Sequence, residues 1–181
     1  VGNSSSTSAG IGILAESKSS SDRTSVINDS GAVIEMPYAG IGIYLDSLEL
    51  GGNVVNNGTI SSTQANALGI YAKMSSTGVL GTPVTNITNT GNINLSDNGF
   101  GIFTDNSMIT NSGNITVDNP VTNSIIAVYG GRDSNISNTG GNISVGEGGI
   151  AFYGNNTVMT ISGGTFSTEN GTLIYGENGT D

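Results

Sequence analysis

Gly40-Ile41-Gly42-Ile43-Tyr44-Leu45 does not stand alone in this chain. Gly-Ile-Gly-Ile-Leu-Ala (10–15) precedes it, and Ala-Leu-Gly-Ile-Tyr-Ala (67–72) and Gly-Phe-Gly-Ile-Phe-Thr (99–104) follow. Looser copies read Ile-Ile-Ala-Val-Tyr-Gly (125–130), Gly-Ile-Ala-Phe-Tyr-Gly (149–154) and Gly-Thr-Leu-Ile-Tyr-Gly (171–176). Their fourth residues are Ile13, Ile43, Ile70, Ile102, Val128, Phe152 and Ile174, spaced 22 to 32 residues apart.

A second motif falls between successive copies of the first. It reads Ile27-Asn28-Asp29-Ser30-Gly31-Ala32-Val33, then Val54-Val55-Asn56-Asn57-Gly58-Thr59-Ile60. It returns as Ile87-Thr88-Asn89-Thr90-Gly91-Asn92-Ile93 and Ile109-Thr110-Asn111-Ser112-Gly113-Asn114-Ile115. Copies carrying one extra Gly span 136–143 and 159–166. Two interleaved motifs recurring at this spacing mark a solenoid or similar array.

Both motifs alternate apolar with small or polar residues and then meet a Gly or Asn turn, the signature of strands. No apolar pattern of helical period persists for ten residues, and Ser, Thr, Asn and Gly disfavour helix interiors. Each repeat therefore supplies about three short strands. One such unit cannot bury its apolar face, but stacked units share a continuous core. The expectation is an all-β fold, a right-handed parallel β-helix (β-solenoid) of about six to seven coils. The hand follows from the preference of crossover connections, and strand spacing makes the rod roughly 30 Å long.

Composition agrees. Among 181 residues there are 29 Gly, 24 Ser, 23 Asn and 20 Thr, with 20 Ile and 12 Val against 8 Leu. Disordered chains are poor in Ile and Val, so the Gly and Ser content does not argue for disorder. There is no Cys and no His, which removes thiol nucleophiles, imidazole bases and the usual zinc ligands. Four basic residues against fourteen acidic ones leave a net charge of −10, which repels nucleic acid. No cofactor, metal ligand or catalytic residue is expected.

Two stacked columns follow from the repeat. In the first motif, strict alternation sends positions two and four inward, as for Ile41 and Ile43 or Phe100 and Ile102. Gly at positions one and three then leaves the outer surface bare. Position five would carry Leu14, Tyr44, Tyr71, Phe103, Tyr129, Tyr153 and Tyr175. Such a ladder is either a structural stack or, if exposed, an interaction platform. In the second motif, Asp29, Asn56, Asn89, Asn111 and Asn138 form a structural polar ladder, broken at Ile161. The Gly two residues later permits positive φ.

Coil lengths vary through inserted loops, expected at Glu16–Thr24, Lys73–Pro83, Asp118–Thr122 and Gly130–Asp133. Such loops commonly carry function on a rigid scaffold. All four basic residues fall in three of them, which adds Lys73 and Arg132 to Tyr44, Tyr71, Phe103, Tyr129 and Tyr153 as candidate ligand-binding residues. Parallel β-helices also host polysaccharide lyases and hydrolases, whose sites need converging carboxylates or acidic calcium ligands with a basic partner. Asp46 and Glu49, Asp97 and Asp105, or Arg132 and Asp133 do not recur at one place on neighbouring coils, so no enzyme is expected.

The alternation of Gly-Ile-Gly-Ile-Tyr with Ile-Thr-Asn-Thr-Gly-Asn-Ile resembles the passenger repeats of large type V autotransporter adhesins, most like those of fusobacteria. The resemblance runs from Gly10 to Gly176. It implies a rod on the bacterial cell surface or secreted from it, held at the outer membrane by a barrel outside this chain. It also implies attachment to a host glycan or protein receptor, or to a partner bacterium. A stalk that extends a distant tip is the alternative. With no polar capping repeat at either end, residues 1–181 read as one β-helix segment of a longer passenger. Bare solenoid edges then predict end-to-end contacts unless 1–9 forms a cap.

Overall fold

A computed structural model of the chain describes residues 10–17, 23–36, 39–47, 51–74, 85–96, 98–118 and 125–180. In chain order, β1 (Gly10–Glu16), β2 (Thr24–Asn28) and β3 (Val33–Met36) form the first coil. The second holds β4 (Gly40–Ser47), β5 (Gly52–Asn56) and β6 (Thr59–Ser62). The third holds β7 (Leu68–Met74), β8 (Thr85–Asn89) and β9 (Asn92–Ser96), and the fourth β10 (Phe100–Asp105), β11 (Ser107–Asn111) and β12 (Asn114–Asp118). Beyond these lie β13 (Ile126–Gly131), β14 (Asn135–Val145), β15 (Ile150–Asn155), β16 (Val158–Thr168) and β17 (Thr172–Glu177).

Among the described residues every strand pair is parallel, and each strand pairs with its counterpart one coil away. The first motif stacks as the sheet β1-β4-β7-β10-β13-β15-β17. The second motif makes the two remaining faces. These fuse into one ten-stranded sheet because β14 runs straight through the corner that separates β11 from β12. The extra Gly allows this: Gly141 and Gly164 take φ of +77° and +103°, and the register shifts between Asn138 and Asn142.

The fold is thus an all-β parallel β-solenoid of about five turns. Among the described residues, the first face makes six coil-to-coil steps between its seven strands, and the other faces make five each. Counting motif copies gives six to seven coils because it counts strands rather than the steps between them.

One core runs through the stack. Position four supplies Ile43, Ile70, Ile102, Val128 and Phe152. The second strand supplies Val54, Ile87, Ile109 and Ile136, and the third Ile60, Ile93, Ile115 and Ile143, all 0–1 % exposed. β-branched residues suit these positions because they pack well on a pleated surface. Lys73 lies in β7 and Gly130–Gly131 in β13, so they are strand residues, not loop residues. Residues 18–22, 75–84 and 119–124, which hold most of the remaining expected insertions, lie outside the described residues, as do 1–9, Glu49 and Asp97.

Candidate functional site

The first sheet departs from strict alternation at its third position. Gly42, Gly69 and Gly101 are buried, and so are the residues that follow them, Ile43, Ile70 and Ile102. A Cβ on Gly69 would lie 2.7 Å from Ile93 Cγ2, and one on Gly101 would lie 2.7 Å from Ile115 Cγ2. The glycines therefore face the core, where the third strand leaves no room for a side chain. Two successive inward residues turn position two outward. Ile41, Leu68 and Phe100 are only partly buried and lie outside the core cluster. The expectation that Ile41 and Phe100 point inward and Gly leaves the outside bare is therefore corrected: strict alternation fails at position three, which the strand register skips from coil to coil, with Gly in the early coils and with Ala127 and Ala151 in the later ones.

The outer face consequently carries positions two, five and seven. Position five stacks in register, Leu14↔Tyr44↔Tyr71↔Phe103↔Tyr129↔Tyr153↔Tyr175. Tyr44 and Tyr71 lie 5.2 Å apart at 13°, and Phe103 and Tyr129 lie 4.3 Å apart at 8°. Tyr129–Tyr153 and Tyr153–Tyr175 continue at 5.0 and 5.2 Å with small interplanar angles. The stack breaks at Tyr71–Phe103, where the rings meet at 68°, and Phe103 also contacts Phe100 edge-on. Ring faces are thus largely turned towards one another, and the half-buried column presents edges and hydroxyls.

Position seven, one residue beyond the hexapeptide's end, forms a charged column beside these hydroxyls: Glu16↔Asp46↔Lys73, then Asp105↔Gly131, then Asn155↔Glu177. Reading the motif to seven residues would have found it. The reading that no acids recur at one place on neighbouring coils is corrected by this register, since Glu16 and Asp46 align.

The column is internally engaged. Lys73 Nζ sits 3.2 Å from Asp46 Oδ2 and 5.9 Å from the Tyr44 ring centroid. Hydrogen bonding with Tyr44, then with Asp46, raises the Lys73 pKa above the ordinary lysine value. Tyr44 donates to Asp46 at 3.2 Å. Arg132 Nη2 lies 3.9 Å from Asp105 Oδ2, with its side chain 77 % exposed. Arg132 and Asp133 both adopt positive φ, 29° and 58°, in the turn after β13. Tyr153 donates to Glu177 Oε1 at 2.5 Å, and Asn155 Nδ2 donates to the same oxygen at 3.0 Å. The bond to Glu177, with burial adding to it, pushes the Tyr153 pKa up to about 12. Burial is the first cause of the upward shifts at Tyr71 and Tyr129.

The polar ladder lies at the corner between the second and third strands. Asn28 Nδ2 donates to Asn56 Oδ1, Asn56 to Asn89, Asn89 to Asn111 and Asn111 to Asn138, each at 2.7 Å. The last amide donates to Gly163 O at 2.7 Å because Ile161 stands in its register position. All five are 0–4 % exposed. The first member is Asn28, not Asp29, which is exposed. Its turn holds two more residues than those of later coils, so counting from the shared Gly misplaces the register. Positive φ is also confined to Gly31, Gly141 and Gly164 among these turn glycines. At Gly58, Gly91 and Gly113 a Cβ would instead run into a carbonyl oxygen of the preceding coil.

With this geometry in hand, a family model matches. It is the BigA third pectate lyase-like domain, and it aligns with residues 2–124. The chain belongs to that family. The match covers the first four coils of this BigA-type domain, and β13 and β15 continue the same registers beyond it. No curated protein and no solved structure matches the domain. Among the described residues of this BigA-type domain, no group of three or more acidic side chains is placed to hold a metal ion.

Proposed function

We propose that this BigA-type domain is a segment of a large bacterial surface adhesin that attaches the cell to a host glycan or protein receptor, or to another bacterium. A type V autotransporter arrangement, with an outer-membrane barrel beyond this chain, fits the repeat motifs. The observation that carries the reading is the outer face of the first sheet, where a half-buried column of aromatic rings runs along the solenoid between an apolar column and a charged one. Contiguous apolar strips rimmed by polar groups mark interaction sites, and Tyr is enriched at such sites. No catalytic residue is assigned: Lys73 neutralises Asp46, and Arg132 faces Asp105.

A non-binding stalk is the second reading. Lys73 and Arg132 have acidic partners within the chain, and the ring faces are spent on each other. Binding of the folded chain to epithelial cells and to a glycan panel separates the two. Saturable binding supports the adhesive reading. Its absence, with the β-rich fold intact by circular dichroism, leaves the stalk.

A further inference from the structure

We infer that the outward face of the first sheet docks a basic protein segment, a choice of partner that rests on the adhesive reading above. Three observations select it over a glycan. Sugar rings stack on the faces of aromatic rings, and here the faces of Tyr129 and Tyr153 are covered by their neighbours at 4.3–5.2 Å. What reaches solvent is a row of ring edges and phenol oxygens. Beside them, position seven places Glu16, Asp46, Asp105 and Glu177, with Lys73 on the same column paired to Asp46 and Arg132 beside Asp105, so that carboxylates outnumber cations by two. An anionic host glycan would meet that column and a chain of net charge −10, whereas Lys and Arg side chains would find carboxylates flanking a ready apolar surface.

The rings suit a protein partner. Tyr offers a large contact area with only two side-chain torsions to fix, and stacking has already restricted those torsions. The face spans about 29 Å along six strand spacings and about 17 Å across positions two to seven. That footprint belongs with small, transient interfaces. One copy should therefore bind in the micromolar range, with firm attachment coming from many copies at a surface.

The test is a selection from a displayed library of random dodecapeptides on the immobilised folded chain, followed by affinities of the synthesised winners. Expected are peptides rich in Lys or Arg with interspersed apolar residues, binding at least about tenfold more weakly when salt rises from about 50 to about 300 mM. The double variant D105N/E177Q should weaken them at least about tenfold, and Asp29→Asn with Glu169→Gln, which removes as much charge away from this face, should not. Tyr129→Ala is the second probe of the face, used only if its melting curve remains cooperative. Winners without basic residues, or winners indifferent to D105N/E177Q, overturn the proposal, as does a glycan whose binding that variant abolishes. Cell attachment unaffected by the face variants would sink this surface while leaving adhesion standing. Basic peptides that bind the face of a chain unable to attach to cells would do the reverse.

Discussion

At the residue scale the buried Asn ladder concentrates the most free energy in the fewest atoms. Removing Asn89 leaves the Asn56 amide and the Asn111 carbonyl facing each other across a gap, both fully buried. An unsatisfied buried polar group costs about 1–3 kcal/mol, so Asn89→Ala should lower stability by about 2–4 kcal/mol in urea titrations. Asp29→Asn should stay within about 0.5 kcal/mol, as exposed substitutions do; a large loss there would return Asp29 to the ladder. The Asn-x-Gly spacing made a ladder legible in the sequence, but the longer first turn hid which residue begins it. A second prediction concerns alkali. The Tyr153 phenol donates to Glu177 and keeps its proton up to about pH 12, whereas an unfolded tyrosine loses it near 10. The native state then binds more protons than the unfolded one in that window. Stability is full below about pH 10 and falls as pH rises towards 12. Glu177→Gln removes the charge that holds the proton and should flatten the decline, read as urea midpoints at about pH 9 and 11.

At the scale of the element, the irregularity at position three of each first-sheet strand decides which residues face outward. Gly101 sits where a Cβ would meet Ile115 Cγ2 at 2.7 Å and the Ala127 carbonyl oxygen at 2.5 Å. Two strands must separate to admit a methyl group, so Gly101→Ala should destabilise by about 1–3 kcal/mol, the usual range for overpacking. Thermal unfolding of this variant is the check, and a neutral result would mean that the sheets can part freely. The same position holds Ala127 and Ala151 in later coils, so the constraint tightens towards the first four. The β-strand character and the stacking order of these elements were legible from periodicity alone. The inward glycine was not, because period-two reading assumes an unbroken alternation, and two successive inward residues at positions three and four reset the phase. The charged column was legible, but only to a reading that carried the motif from six residues to seven.

At the scale of the whole molecule, apolar exposure is polarised along the solenoid axis. Among the described residues, the exposed large hydrophobics are Ile11, Leu14, Ile27 and Val33 in the first coil, Val158, Leu173, Ile174 and Tyr175 in the last strands, and Met108 between. The last coil also opens a cleft of about 360 Å³ lined by Met159, Ile161, Ile174, Gly176 and Thr180. Among the described residues, β1 and β17 are the outer strands of the first sheet, each paired on one side only. Edges of this kind template further pairing, and the two ends carry copies of one motif, so a head-to-tail contact repeats the stacking already used inside. Such contacts are heterologous and do not close, which favours short open chains over a defined dimer. Sedimentation velocity over a hundredfold range of concentration should therefore give a rising weight-average mass. Ile174→Lys, which places a charge in the terminal cleft, should hold the chain monomeric without altering its circular dichroism. Amide exchange gives an independent reading, with the second to fourth coils slow and the terminal strands fast in the monomer, and the terminal strands slowing as concentration rises. A single sedimenting species at all concentrations, with slow exchange at both ends, would mean that the ends are satisfied within one chain.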